Sequence, residues 1–194
     1  MRKVLRDQSG VATMILALFG MMVTVVVFTG VNSIQQVFTQ RQQMAQVLSS
    51  ALTAAMANGA ILTSNGQCVT WDAVSAQLAA DQIVKDGLST SLPSPSVGAP
   101  QSFGSSGRFQ GLTMVSFDTG AEPLSSCVPP YTPVSSSITE CGISYTVSGA
   151  YVAACLEATA TVQVGPLSVP VTIWVAKMQN VYSSQDGTQI NQAQ

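Results

Sequence analysis

Residues Met1–Val31 read MRKVLRDQSGVATMILALFGMMVTVVVFTGV and run without a break into residues 32–59, NSIQQVFTQRQQMAQVLSSALTAAMANG. Arg2, Lys3 and Arg6 precede 21 residues, Val11 to Val31, that carry no charge. At 1.5 Å per residue a helix of that length covers about 31 Å, the thickness of a bilayer's hydrocarbon core. The stretch is expected to span a membrane, with the basic end on the cytoplasmic side and everything after Asn32 exported. The alternative is a cleaved secretory signal, whose apolar region is shorter and ends at a polar, turn-like boundary. No such boundary follows here. Ile34, Val37, Phe38, Met44, Val47, Leu48, Ala51, Leu52, Ala55 and Met56 recur at intervals of three and four, with Gln35, Gln36, Gln40, Gln42, Gln43 and Gln46 around the rest. No proline occurs before Pro93, and Gly59 with the Ser64-Asn65-Gly66 run supplies a stop. One helix over 11–58 is therefore expected, with a membrane-spanning and assembly half at 11–33 and an amphipathic half at 34–58. Gly20 and Gly30 lie in the apolar half, where small residues allow another helix to approach closely or are simply tolerated.

Working outward, the composition narrows the function classes. Charged residues are 8% of the 194, far below the quarter usual in soluble domains, so the chain is not expected to live wholly in water. Without residues 1–10 the remainder carries four positive and eight negative charges. That balance offers no basic surface to nucleic acid. Cys68, Cys127, Cys141 and Cys155 are even in number and follow the apolar run. With no His and no Cys-x-x-Cys spacing, two disulfides in an oxidising compartment are expected rather than a zinc site. Three connectivities are open; Cys127 with Cys141 and Cys68 with Cys155 is the preferred one, stapling the proline-rich stretch between Cys127 and Cys141 as an exposed lobe.

Residues 59–180 read as the exported domain. A short helix is expected over Trp71–Asp86, with Trp71, Val74, Leu78, Ile83 and Leu88 as its apolar set, Thr70 or Asp72 as cap and Gly87 as stop. Ser89–Gly107, rich in Ser, Pro and Gly, reads as an exposed loop. Strands are expected at Phe109–Phe117 and Cys141–Ser148. Two period-2 runs, 156–164 and 167–175, flank Gly165-Pro166 as a hairpin. Pro170 places that last strand at an edge or a bulge. The polar tail 181–194 is expected to be flexible. The fold class that follows is α+β: a long N-terminal helix, membrane-spanning in its first half, packed by its second half on a small antiparallel β-sheet and stabilised by disulfides.

The segment Arg6-Asp7-Gln8-Ser9-Gly10-Val11-Ala12-Thr13-Met14-Ile15 resembles a class III, prepilin-type signal, in which a short basic leader (here 1–10) ends in Gly. Its Asp-Gln-Ser-Gly-Val-Ala context resembles the Tad/Flp-type (type IV pilin-like) minor pilins and pseudopilins. The resemblance implies a membrane prepilin-type peptidase cutting after Gly10, Val11 as the first mature residue, and other pilin or pseudopilin subunits as partners through helix packing. Such chains commonly carry Glu at or near the fifth mature position, where it pairs with a neighbour's N-terminal amine. Here that position is Ile15, and neither Met14 nor Leu16 supplies a carboxylate. Some minor or tip subunits lack this Glu, and major Tad/Flp pilins are much shorter, so a minor subunit is implied.

The absence of His removes Ser-His-Asp and Cys-His catalysis. The carboxylates are scattered; Asp118 and Glu122, around Thr-Gly-Ala, read as solvated turn residues, not calcium ligands. No enzyme activity, cofactor or metal is expected. Trp174 and Tyr131 are candidate contact residues. Trp174 is either an exposed anchor or, the preferred reading, a cover for the sheet's underside against the 71–86 helix. The expected function is a structural subunit of a type IV pilus-like filament or its assembly apparatus, held in the inner membrane before assembly and at the cell surface after it. The alternative is a membrane-anchored extracytoplasmic binding module or adhesin.

Overall fold

The computed structural model describes residues 2–62, 69–88, 91–93, 100–106, 109–121, 135–148, 150–184 and 187–192. Its side chains are described within 10–59, 72–88, 91–93, 100–106, 109–120, 137–147 and 151–179. The chain is α+β. Helix α1 covers Arg2–Gly59, one uninterrupted element as the spacing predicts, and begins earlier than Val11. After it come β1 (Ala60–Leu62), β2 (Val69–Trp71), α2 (Ala73–Leu88), β3 (Gln101–Ser106), β4 (Phe109–Ala121), β5 (Ser135–Glu140), β6 (Ile143–Ser148), β7 (Ala150–Val164), β8 (Leu167–Ser184) and β9 (Gly187–Gln192). A five-stranded sheet has the order β3-β4-β7-β8-β9, and β1-β2 and β5-β6 form two further pairs. The residues divide into two compact units, Met1–Thr39 with Thr161–Val171, and Gln40–Ala160 with Thr172–Gln194.

In the larger unit α1 buries Met44, Leu48, Ala51, Leu52, Ala55 and Met56, the helical stripe read from the sequence. Helix α2 starts at Asp72, whose Oδ1 accepts from the backbone N–H groups of Val74 (3.0 Å) and Ser75 (3.2 Å). The Ser75 hydroxyl donates to Oδ2, and these bonds hold the Asp72 carboxyl below its ordinary pKa. The inner face of α2 matches the expected set at Leu88 but not at Val74 or Leu78. Ala76, Gln77, Ala80, Asp81, Val84 and Leu88 are buried, while Val74 and Leu78 are exposed. Close approach explains the rotation: a Cβ on Gly87 would lie 2.7 Å from Val47 Cγ2 of α1. Gly87 is therefore a packing residue inside α2, not its stop.

Five consecutive residues of β7, Val152 to Leu156, are buried, so both faces of the sheet are covered there. Ala153 packs with Val147 and Met178, flanked by Ile138, Tyr145 and Tyr151. The even-numbered residues from Val152 to Ala160 are left for the opposite face. Thr53 of α1 donates to Gln179 of β8 at 3.3 Å.

Four further expectations are corrected. The Ser/Pro/Gly segment 89–107 holds β3, with Phe103 fully buried and main chain that bulges around Gly104 as it pairs with β4. The lobe before Cys141 includes β5, paired with β6 from Ser135↔Ser148 to Glu140↔Ile143. Asp118 lies in β4, opposite Ala153, and not in a turn. The tail carries the end of β8, paired with β9 from Gln179↔Gln192 to Ser184↔Gly187. Glu122 lies outside the described residues.

The disulfide is also corrected. Cys141 bonds Cys155, with Cα atoms 6.1 Å apart and a sequence separation of 14. The expected Cys127–Cys141 bridge spans the same separation, so loop entropy does not choose between them. Strand geometry does. Cys141 (φ 47°) and Gly142 (φ 78°) are both left-handed, the signature of a two-residue type I′ turn, and this turn brings Cys141 to β7. Cys68 and Cys127 lie outside the described residues.

Candidate functional site: the apolar helix and the strand tip beside it

The first half of α1 exposes nearly every side chain from Gly10 to Val25, including Val11, Met14, Ile15, Leu16, Phe19 and Met22. It is a single helix long and apolar enough to cross a membrane, and none of its most apolar window is buried. The polar groups within it are satisfied inside the helix. The Thr24 hydroxyl donates to Gly20 O at 2.8 Å, and Thr29 donates to Val25 O and Val26 O, each at 3.0 Å. Hydroxyls bonded back in this way add little cost in hydrocarbon. A Cβ on Gly10, Gly20 or Gly30 would meet nothing within 4 Å. Exposure continues past Val31 to Ile34 and Phe38, the two stripe positions that remain uncovered.

The same compact unit contains the tip of the β7–β8 hairpin. Its two-residue turn is Gly165-Pro166, with Gly165 at φ 59° and proline's fixed negative φ next, the type II′ combination. The Ser33 hydroxyl donates to Gln163 O at 3.0 Å and accepts from Gln163 N–H at 3.3 Å. Gly165 N–H donates to Thr29 Oγ1 at 3.4 Å, and a Cβ at Gly165 would stand 3.4 Å from Val26 Cγ2. The described pairing of β7 with β4 ends at Gln110↔Thr159, so Ser33 occupies main-chain groups that a neighbouring strand would otherwise take. The hairpin was legible in the sequence; the roles of Val26, Thr29 and Ser33 were not. Two hydroxyls four residues apart in an apolar helix are the signal that could have pointed to them.

A second arrangement clasps the β5–β6 hairpin to the sheet. Cys155, disulfide-bonded to Cys141, is opposite Ser116 in the β4–β7 ladder, and the Ser116 hydroxyl donates to the Glu140 carboxylate. Glu140 is buried, and its pKa is raised by desolvation and by the Asp118 charge, against the lowering effect of Ser116. The Tyr151 hydroxyl lies 3.4 Å from Asp118 Oδ2. This is a structural clasp: among the described residues no group of three or more Cys, Asp or Glu is placed to hold a metal ion.

Of the other sequence candidates, Trp174 is 58% exposed, so it does not cover the sheet against α2. Tyr131 lies outside the described residues. Gly10, Val11 and Ile15 are on the exposed helix, far in sequence from the clasp. Pro170 sits on β8 before the stretch that pairs with β9, which begins at Gln179. Comparison with protein-family models, with curated proteins and with solved structures found no match for this chain.

Proposed function

We propose that this chain is a pilin-like structural subunit, anchored in the inner membrane by α1 and incorporated through the same helix into a type IV pilus-like filament or its assembly apparatus. The observation that supports this reading is the division of labour along one helix. Val11–Val31 is charge-free and exposed, while Met44–Met56 is committed to a folded core. A helix exposed in this way needs lipid or other helices around it, and a chain that passes from one to the other needs no change in its own fold. The leader-like Arg6–Gly10 segment provides for release from the basic end, with Val11 as the new N-terminus. Ile15, in place of a carboxylate, suits a minor subunit.

The test is fractionation of cells with and without the prepilin-type peptidase. The protein is expected in sheared surface material only when the peptidase is present. Confinement to the membrane in both cases would contradict filament incorporation. It would favour the second reading, an anchored binding module, which the 58% exposure of Trp174 on β8 supports.

A further inference from the structure

From the packing of the β7–β8 tip against α1, we infer that the tip is a second membrane contact, lying in the interfacial layer of the exported leaflet beside the helix. This rests on the reading of α1 as a membrane anchor. The level of the tip follows from its partners. If the membrane-spanning stretch ends at Val31, where Asn32 and the Gln-rich segment begin, then Val26 lies about 7.5 Å inside that end and Thr29 about 3 Å. Gly165 N–H bonds Thr29, and a Cβ added at Gly165 would be in van der Waals contact with Val26. A tip at that level sits within the 5–10 Å depth typical of interfacial apolar surfaces, in order-of-magnitude terms.

Its chemistry fits that layer. No ionisable side chain occurs between Glu157 and Lys177. Leu167 is 66% exposed and Val169 46%, and Val164, Pro166 and Pro170 are exposed beside them. Irregular backbone is costly near hydrocarbon because its N–H and C=O groups lack water. Here the cost is reduced: Pro166 has no N–H, Gly165 N–H is bonded to Thr29, and both main-chain groups of Gln163 are bonded to Ser33. An exposed apolar turn in water would need none of these provisions.

The experiment uses the full chain in vesicles of phosphatidylcholine and phosphatidylglycerol, with Trp71→Phe and Trp174→Phe removing the native indoles. Single reporters are then introduced as Leu18→Trp in the helix, Leu167→Trp or Val169→Trp in the tip, and Ser144→Trp on exposed β6. Brominated phosphatidylcholine is the quencher. The helix and tip reporters are expected to lose about half of their emission or more and to emit at shorter wavelength, as groups at interfacial depth do, while Ser144→Trp is unaffected. Quenching at Leu18→Trp with none at either tip reporter would overturn the inference and leave the anchor intact. No quenching at Leu18→Trp would overturn the anchor itself. A tip emission that shifts only as protein density rises, without bromine quenching, would show that another copy covers the tip and would also overturn the inference.

Discussion

At Asp81 both carboxylate oxygens are buried without a hydrogen-bond partner, on the inner face of α2. Desolvation raises its pKa from 3.8 to about 6. The folded chain therefore holds this proton more tightly than the unfolded chain does. The benefit is fully present below the unfolded value and is lost as pH rises through the folded one. The loss falls between about pH 4 and 6 and amounts to at most about 3 kcal/mol. Asp81→Asn is expected to flatten the pH dependence of the urea midpoint across that window; an unchanged dependence would contradict the burial. Asp72 was legible as one of two candidate caps, with Thr70, because a carboxylate at a helix start can accept from its first free N–H groups. Asp81 was not, because Val74 and Leu78 make a more apolar face than Ala76 and Ala80. The close approach at Gly87 marks the face that turns inward, and it depends on Val47, 40 positions away.

At the scale of elements, pattern carried the regular pieces. The 48-residue helix read from Val11 to Asn58, periodic in its second half, and the two alternating runs around Gly165-Pro166 correspond to α1 and to β7–β8. It failed where strands are irregular or polar. Strand β3 is interrupted by Gly104, β5 is Ser-Ser-Ser-Ile-Thr-Glu, and β9 is almost wholly polar. Such segments pair because a partner edge is available, a property of the assembled sheet that their own composition does not display. The disulfide belongs to the same class, since equal loop lengths left the choice to a type I′ turn. The packing of α2 on α1 has a direct test. Gly87→Ala places a methyl group against a β-branched side chain that cannot swing aside. It is expected to destabilise the fold by about 1–3 kcal/mol, as overpacking does, read as a lower denaturant midpoint with unchanged m-value. Val47→Ala in the same chain is expected to recover part of the loss, and an unchanged midpoint for the single variant would contradict the close crossing.

Across the whole molecule the defining feature is one helix with two differently patterned halves. Residues 11–31 are apolar around their full circumference, so no single stripe exists for a globular core to cover. Residues 44–56 carry a stripe, and it is buried. This division was legible at once, because polarity and periodicity change together near Asn32, where the Gln-rich segment begins. The tip's attachment at Thr29 and Ser33 was not, since it depends on residues about 130 positions apart. In the proposed function the apolar half is retained in the working protein and only the basic leader is removed. Intact mass with N-terminal sequencing of the protein extracted from membranes of peptidase-bearing cells tests this most directly. The expected chain begins at Val11; a chain beginning at Met1, or one cut beyond Val31, would contradict the account.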